Sequence, residues 1–340
     1  MKLHKNKILT GILTCLVSAS VFAQVPVKSP SASAPVQAPA ATPAKPASAP
    51  VQAAATPPKV DYGPDYKGDL FDKIKTSGKI IIGYRASSIP MSFLDANKKP
   101  IGYGTEICLD IIDKLKQDLS MPNLVIEYAE VTSANRIPIL LSGKIDMECA
   151  SSVNNEERRQ KVDFTVPYYV SGNRILTKNN SGIKSVADLK NKTVVVAAGT
   201  SANDLLKQFN KTRDMKIKIT VAKDFSSSFS ILESGKADAF VLLDFLLYGE
   251  ASKSANSKDY SVVGDFLSVE PSAIMFRKND PKFKSFIDKQ MIQMVKSGKI
   301  NDYYTKWFLS PIPPNNRNLN IPQSSLLKEV FRVPTSITGS

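Results

Sequence analysis

The stretch Lys79-Ile80-Ile81-Ile82-Gly83-Tyr84 begins the part of the chain that determines the fold, because a short apolar run of this kind predicts a buried strand. The next periodic segment, Thr105–Leu119, has apolar residues at helical spacing and predicts an amphipathic helix. Further strands are predicted at Leu124–Glu127, Ile145–Cys149, Arg174–Leu176, Thr193–Ala197, Lys218–Val221, Ala239–Leu242 and Ser261–Val263. Further helices are predicted at Ser133–Leu141, Ser201–Phe209, Ser226–Ser234, Asp244–Ala251, Pro281–Ser297 and Asn301–Phe308. This alternation of strands and helices is typical of a mainly parallel α/β sheet.

One short pattern occurs twice in the chain. Leu141-Ser142-Gly143-Lys144-Ile145-Asp146 is matched 92 residues later by Glu233-Ser234-Gly235-Lys236-Ala237-Asp238. In both places an apolar helix stops at a glycine, which we expect to be a helix C-cap, and a strand begins after an aspartate. The joint is common in α/β proteins, but its repetition is also consistent with two lobes built on one plan.

The first 59 residues differ in composition from the rest. Residues 1–23 combine three lysines, the apolar run Ile8–Val21 and a small-residue cleavage site ending at Ala23, which together predict a secretory signal peptide. Residues 24–59 contain nine prolines and eleven alanines but no acidic or aromatic residue, which predicts a disordered, extended linker. No other apolar stretch approaches the roughly 20 residues of a membrane span.

Composition limits the chemistry that the chain can perform. Its 340 residues suffice for two ordinary domains or one large one. The formal net charge is +14, and the +8 that remains on residues 60–340 suits an anionic ligand, whereas no basic run with interleaved aromatics indicates nucleic acid. The single histidine, His4, lies in the signal segment, and the three cysteines form no CxxC pair, so we expect no histidine-dependent catalysis and no metal site. No phosphate-binding glycine motif is complete, so we expect no nucleotide cofactor.

Two cysteines lie in the globular part of the chain. Cys108 is in the middle of a predicted helix and Cys149 ends a predicted strand, so both are expected to be buried as small apolar residues rather than reactive groups. An oxidising compartment would allow a disulfide between them. The sequence favours two unpaired thiols, because it does not bring their Cα atoms within bonding range.

Five segments are each weak as motifs, but their order and spacing along the chain make the set specific. They are Gly83–Pro90, Ser133–Pro138, Glu156–Tyr169, Ala197–Ser201 and Trp307–Pro314. The set resembles the solute-binding proteins of polar amino-acid ABC transporters, which are bacterial solute-binding proteins of family 3, and in particular their glutamate/aspartate-binding branch. The resemblance extends from about Asp69 to about Phe331.

This resemblance implies an α/β fold of the two-lobe periplasmic-binding-protein type (type II), with two crossing hinge strands and a ligand in the cleft between the lobes. The crossing strands would be Tyr169–Arg174 and Ser268–Ser272. Lobe 1 would comprise residues 60–170 and 273–340, and lobe 2 residues 171–272. The implied function is that of a monomeric, non-enzymatic periplasmic protein that delivers glutamate, aspartate or a related dicarboxylate to an inner-membrane ABC permease by lobe closure.

The resemblance also implies roles for individual residues. The position of Arg136 clamps the α-carboxylate, helped by Ser151 and by Thr200 at a helix start. Arg85 and Ser133 would hold the side-chain carboxylate. Arginine suits both tasks because its planar guanidinium donates two parallel hydrogen bonds to a carboxylate.

Three positions depart from the pattern of this branch. Phe225 stands in place of a histidine, Leu243 in place of the aspartate that receives the ligand ammonium, and Val153 in place of a threonine. Asp244, one step after Leu243, is the candidate for the ammonium, although a helix N-cap explains this residue equally well. Without such a contact, the ligand would be a dicarboxylate that lacks an amino group.

Two other classes of function stay open. A cyclohexadienyl or arogenate dehydratase-like enzyme could use the same scaffold, but elimination needs a general acid or base, and no paired carboxylates indicate one. A ligand sensor without a transport role could use the linker to present the lobes to a partner. Turnover of prephenate or arogenate would reveal the enzyme, and a pull-down with permease components would distinguish the transporter from the sensor.

Overall fold

The structure, a computed structural model, describes residues 68–335. The predicted signal peptide, the predicted linker and residues 60–67 and 336–340 of the predicted lobe 1 lie outside the described residues. Between residues 68 and 335, no helix is both long and apolar enough to cross a membrane.

Helices and strands alternate along the described part of the chain. The strands are β1 (Lys79–Tyr84), β2 (Ser87–Ser88), β3 (Ser92–Leu94), β4 (Pro100–Ile101), β5 (Val125–Glu130), β6 (Met147–Glu148), β7 (Val162–Phe164), β8 (Tyr169–Ser171), β9 (Asn173–Lys178), β10 (Thr193–Ala197), β11 (Lys218–Ala222), β12 (Ala239–Leu243), β13 (Tyr260–Val263), β14 (Glu270–Ser272), β15 (Met275–Arg277), β16 (Pro311–Ile312) and β17 (Arg317–Asn318). The α-helices are α1 (Leu70–Ser77), α2 (Tyr103–Asp118), α3 (Arg136–Leu141), α4 (Glu156–Arg159), α5 (Ser201–Arg213), α6 (Phe225–Glu233), α7 (Asp244–Lys253), α8 (Pro281–Lys296), α9 (Lys299–Phe308) and α10 (Ser325–Arg332).

Two five-stranded sheets of matching plan organise the molecule. The first sheet has the order β5-β1-β6-β15-β7, and the second has the order β11-β10-β12-β9-β13. In the first sheet β1 runs parallel to β5 and β6, while β15 is antiparallel to both of its neighbours. In the second sheet β10 runs parallel to β11 and β12, while β9 is antiparallel to both of its neighbours. The chain therefore has the two-lobe α/β architecture that the sequence predicts.

The repeated sequence pattern corresponds to a repeated joint. Gly143 and Gly235, which follow α3 and α6, both have a φ of +74°, a left-handed conformation that glycine adopts without strain. Asp146 and Asp238 follow these glycines, and each accepts a 2.8 Å hydrogen bond from a backbone N–H in β1 or in β10. The prediction of the caps was wrong by one position, because the C-cap residues are Ser142 and Ser234 and each glycine directly follows the cap. Both joints fix a helix to the neighbouring parallel strand in the same way.

A short two-stranded ribbon connects the two sheets. β8 pairs antiparallel with β14, which places the predicted crossing strands side by side. The ring of Tyr169 in β8 lies 4.9 Å from Phe308 of α9 and 4.7 Å from Phe245 of α7, measured between ring centroids. This aromatic cluster anchors the ribbon to helices of both lobes. The division of the chain at residues 170/171 and 272/273 stays a prediction.

The expectation for the cysteines was wrong in one respect. Both side chains are buried, as predicted, but Cys108 of α2 and Cys149 after β6 form a disulfide, with their Cα atoms 6.1 Å apart. The helix α2 covers the first sheet and brings Cys108 over the end of β6. This contact is tertiary, so the separation of 41 residues in the sequence could not reveal it.

Candidate functional site

The two sheets present the ends of their parallel strands to a shared cleft. Arg85 follows β1, Ser151 lies just beyond β6, Thr200 lies just beyond β10, and Leu243 ends β12. Carboxyl ends of parallel strands are the usual ligand-binding edge of such sheets. The residues that line the cleft are Arg85, Ser133, Arg136, Ser151, Val153, Arg158, Asn173, Gly199, Thr200, Ser201, Phe225, Leu242, Leu243 and Leu246.

Arg85 is held in place by contacts on three sides. Its Nη2 donates a hydrogen bond to the Ser133 hydroxyl, and its Nη1 lies 3.7 Å from a carboxylate oxygen of the buried Glu148. The guanidinium carbon lies 5.1 Å from the ring centroid of Phe225, which comes from the other side of the cleft. Burial lowers the pKa of Arg85, and the Glu148 carboxylate partly offsets this effect. Arg85 is thus a preorganised cation at the cleft wall.

Arg136, the first residue of α3, is almost completely buried at the centre of the cleft. Its Nη1 donates to the carbonyl of Ser133 and, at 3.4 Å, to the carbonyl of Gly199 across the cleft. Its buried Nε has no hydrogen-bond partner among the described residues. Burial, followed by repulsion from Arg158 and Arg85, lowers the pKa of Arg136 well below its usual range. Arginine keeps its proton in proteins, so Arg136 remains charged despite its lowered pKa. It is therefore a buried positive charge that an anion in the cleft would stabilise.

A third arginine lines the cleft, and the sequence analysis did not assign it a role. Arg158 in the one-turn helix α4 donates from Nη1 to the carbonyl of Val153 at 3.0 Å and from Nη2 to that of Gly199 at 3.4 Å. Burial lowers its pKa, while the Glu270 and Glu148 carboxylates act in the opposite direction. The run Glu-Glu-Arg-Arg is typical of a solvated surface, and a helix of four residues has too little periodicity to show which side chain turns inward.

The smaller predicted residues complete the polar lining. Ser133 and Ser151 line the cleft on the side of the first sheet, and Thr200 lines it as the N-cap of α5 on the side of the second sheet. The Thr200 hydroxyl donates to the carbonyl of Ala197 at 2.7 Å, so its proton is engaged within the loop that precedes α5. Five of the six predicted site residues are therefore brought together around one space.

Gly199 sets how closely the two sides of the cleft approach each other. Its φ of +71° lies in the region that favours glycine. A Cβ atom at this position would lie 2.5 Å from the carbonyl oxygen of Ser133, on the opposite side of the cleft. The structure is therefore closed at this point, and any larger residue would hold the two sides apart.

Asp244, the sixth predicted site residue, does not line the cleft. It begins α7, and its side chain accepts a hydrogen bond from the backbone N–H of Phe245 at 2.7 Å. Tyr304 of α9 stacks on Tyr169 and Phe308 in the aromatic cluster. Burial raises the pKa of Tyr304, and the nearby Asp244 carboxylate raises it further. Burial also raises the pKa of Asp244 itself to about 6. Its role as the ammonium ligand stays a prediction.

The raised pKa of Asp244 predicts a specific pH dependence of stability. Between pH 4 and pH 6 the unfolded chain releases this proton while the folded protein keeps it, so the free energy of unfolding should fall as the pH rises. Asp244→Asn removes this ionisation and should make the protein roughly 2–3 kcal/mol more stable than wild type at pH 7, but not at pH 3.5. Urea titrations at both pH values test this, with the exposed Asp265→Asn as control. Equal stability of Asp244→Asn and wild type at pH 7 would contradict it.

The three departures from the branch pattern all lie at the cleft. Val153, Phe225 and Leu243 line it, and all three are at least 96% buried. None of these side chains can donate to a carboxylate or accept from an ammonium. Within the described part of the chain, the lining has three arginines and no acidic side chain.

Comparisons with known proteins agree with this geometry. The sequence profile of the bacterial extracellular solute-binding proteins, family 3, matches residues 80–310. The chain belongs to this family. The solute-binding protein is 44% identical over 264 residues to the L-glutamate/L-aspartate-binding protein of Pseudomonas aeruginosa, a match that covers 77% of this chain and 87% of the relative. It is 40% identical over 267 residues to the glutamate/aspartate import solute-binding protein of Escherichia coli, covering 78% and 88% of the two chains.

A solved structure gives the same fold. The ancestral amino acid-binding protein AncCDT-1, described as a precursor of cyclohexadienyl dehydratase, has 30% sequence identity and a TM-score of 0.61, over 70% of this chain and 99% of its own. The predicted type II binding-protein fold is confirmed by this likeness and by the family match.

Proposed function

We propose that this solute-binding protein is the periplasmic component of an ABC importer for acidic amino acids, and that it delivers glutamate or aspartate to an inner-membrane permease by lobe closure. The observation that carries the proposal is the convergence of three buried arginines on a cleft to which the described residues contribute no carboxylate. Such a concentration of positive charge is costly unless an anion completes it. The names of the Pseudomonas and Escherichia relatives support glutamate and aspartate as that anion.

The proposed arrangement of the ligand follows from the lining. The α-carboxylate lies against Arg136 and the Ser151 hydroxyl, close to Thr200 at the start of α5, where the helix dipole also favours an anion. The second carboxylate lies against Arg85 and Ser133. Arg158 adds a third positive charge that contacts both sides of the cleft through Val153 and Gly199. Because Arg136 and Arg158 share the Gly199 carbonyl, an anion that draws these arginines together also favours closure.

A dicarboxylate without an amino group is the second candidate ligand. Three lining arginines match two carboxylates, whereas no side chain that lines the cleft within residues 68–335 offers a negative charge to an ammonium. An α-amino acid would instead use hydroxyl and carbonyl acceptors, or a rearranged Asp244. Glutarate and succinate, which match glutamate and aspartate without the amino group, therefore belong in the ligand screen.

A dehydratase on this scaffold is not favoured. The described residues that line the cleft contribute guanidinium, hydroxyl, amide and apolar groups, but no carboxylate, lysine or imidazole. Elimination requires a general acid or base within hydrogen-bond reach of the substrate. We therefore expect no turnover of prephenate.

Calorimetric titration of wild type and of Arg85→Ala tests the proposed function. Wild type should bind glutamate and aspartate. Arg85→Ala should weaken the binding of glutamate at least tenfold more than the binding of glutamine, because only an acidic side chain needs a second cation. Arg85→Lys, which keeps the charge but not the planar fork, should be intermediate. If wild type binds none of glutamate, aspartate, glutarate and succinate, the proposed function is wrong. Equal losses of affinity for glutamate and for glutamine in Arg85→Ala would contradict the role of Arg85.

A further inference from the structure

Glu148 is a buried acid that the proposed ligand contacts do not use. It ends β6 in the middle of the first sheet, where it is paired with Gly83 of β1 and Met275 of β15. Its side chain is 0% exposed. It directly precedes the disulfide-bonded Cys149, so its backbone is held by the sheet and by the covalent link.

The surroundings of this carboxylate are predominantly positive. One oxygen lies 3.7 Å from Nη1 of Arg85, and neither oxygen accepts a hydrogen bond within residues 68–335. Its charge also acts on Arg136 and Arg158, where it counteracts the lowering of the pKa that burial causes. Asp224 also acts on Arg85, and Glu270, which accepts a 2.9 Å hydrogen bond from Asn173, acts on Arg158. Glu148 is therefore the carboxylate that faces Arg85 and Arg136.

A buried carboxylate with one long ion pair and no hydrogen bond is unfavourable on its own. It becomes favourable when it offsets cations that are buried for another reason, and here three guanidinium groups surround one cleft. The same negative charge opposes any anion that approaches these guanidinium groups. Glu148 and the ligand carboxylates thus act on the same cations.

We propose that Glu148 is the internal counter-ion of the three-arginine cleft, stabilising the ligand-free protein and limiting the affinity for anionic ligands. This inference rests on the proposed function for its second half, because it assumes that the ligand carries carboxylates. Glu148 is a positioning residue: it acts on the ligand through the arginines and does not line the cleft.

Glu148→Gln tests the proposal, since glutamine keeps the size and polarity of the side chain and removes its charge. The ligand-free variant should have a lower melting temperature than wild type, because the three cations lose their counter-ion. Its affinity for L-glutamate and for glutarate should nevertheless rise about tenfold, as expected when a like charge several ångströms from the anion is removed. If Glu148 had a merely structural role, Glu148→Gln would lower both the stability and the affinity. That result would overturn the proposal.

Two further variants keep the test decisive. Glu130→Gln removes the same charge at the exposed end of β5 and should change neither quantity. In the Arg85→Gln background, Glu148→Gln should lower the free energy of unfolding much less than it does in wild type. The reason is that Arg85, the cation that Glu148 pairs with, is already absent in this background. If Glu148→Gln alone does not fold, recovery of folding in the double variant supports the proposal, and equal destabilisation in both backgrounds overturns it. This stability cycle needs no ligand, so it remains valid even if the proposed ligands fail to bind.

Discussion

Arg136→Ala is expected to weaken the binding of glutamate at least a hundredfold without unfolding the protein. The guanidinium of Arg136 is buried between the carbonyl groups of Ser133 and Gly199, and its Nε has no partner among the described residues. The variant would leave the α-carboxylate of the ligand buried without its clamp, and truncating one partner of such a pair costs about 2–5 kcal/mol. Since about 1.4 kcal/mol is a tenfold change in affinity, a hundredfold loss is near the lower end of this range.

Stability should respond differently from affinity in this variant. Arg136 is repelled by Arg158 and Arg85, so its removal relieves repulsion while it gives up two hydrogen bonds to carbonyl groups. We expect the two effects to offset each other to within about 1 kcal/mol of the free energy of unfolding.

Calorimetry for affinity and urea unfolding for stability should be measured on the same preparations of this variant. Arg213→Ala, which removes an arginine that stacks on Phe209 at the surface, is the matched control and should leave the affinity unchanged. An Arg136→Ala protein that binds glutamate within tenfold of wild type would refute the clamp.

The long strands could be predicted because a buried strand is visible in the sequence as a continuous run of apolar residues. β1 and β10 begin and end where the sequence predicts, and each contains a run of three large apolar residues. The short strands β8 and β14 have only three residues each and were anticipated through the family resemblance rather than from periodicity. Elements of this length carry too few residues for a periodic signal, and tertiary contacts such as the stacking of Tyr169 on Phe308 define them.

The residues of the candidate site also divide into those that the sequence could predict and those that it could not. Arg85 and Arg136 could be predicted because each lies in a recognisable motif after a strand or at a helix start. Arg158 also lies in one of the five family-like segments, but it was given no role, because a charged run in a single helical turn does not show which side chain is buried. Asp244 illustrates the opposite limit: it follows the cleft residue Leu243 directly, but Leu243 ends β12 whereas Asp244 begins α7, and the Asp244 carboxyl lies near Tyr304 instead.

Removing the disulfide should have the largest effect on stability. The bond between Cys108 and Cys149 closes a loop with a sequence separation of 41, and the chain-entropy relation assigns about 4 kcal/mol to a loop of this length. Cys108→Ala together with Cys149→Ala should therefore lower the free energy of unfolding by about 3–4 kcal/mol, a substantial part of the stability of an ordinary globular protein. For a domain of this size, the corresponding decrease in melting temperature is roughly 10 °C.

The experiment has an internal control in the wild-type protein. Reduction with dithiothreitol should lower the melting temperature of wild type towards that of the double variant, and should not change the double variant itself. Measurement at saturating glutamate should restore part of the loss in both proteins, because ligand binding stabilises the folded state alone. Cys149 lies between Glu148 and Ser151 at the end of β6, so a weaker affinity in the double variant would show that the covalent link also holds the arginine cleft in its binding geometry. If the melting temperatures of oxidised wild type and double variant differ by less than about 2 °C, the disulfide does not contribute to stability as the loop length predicts.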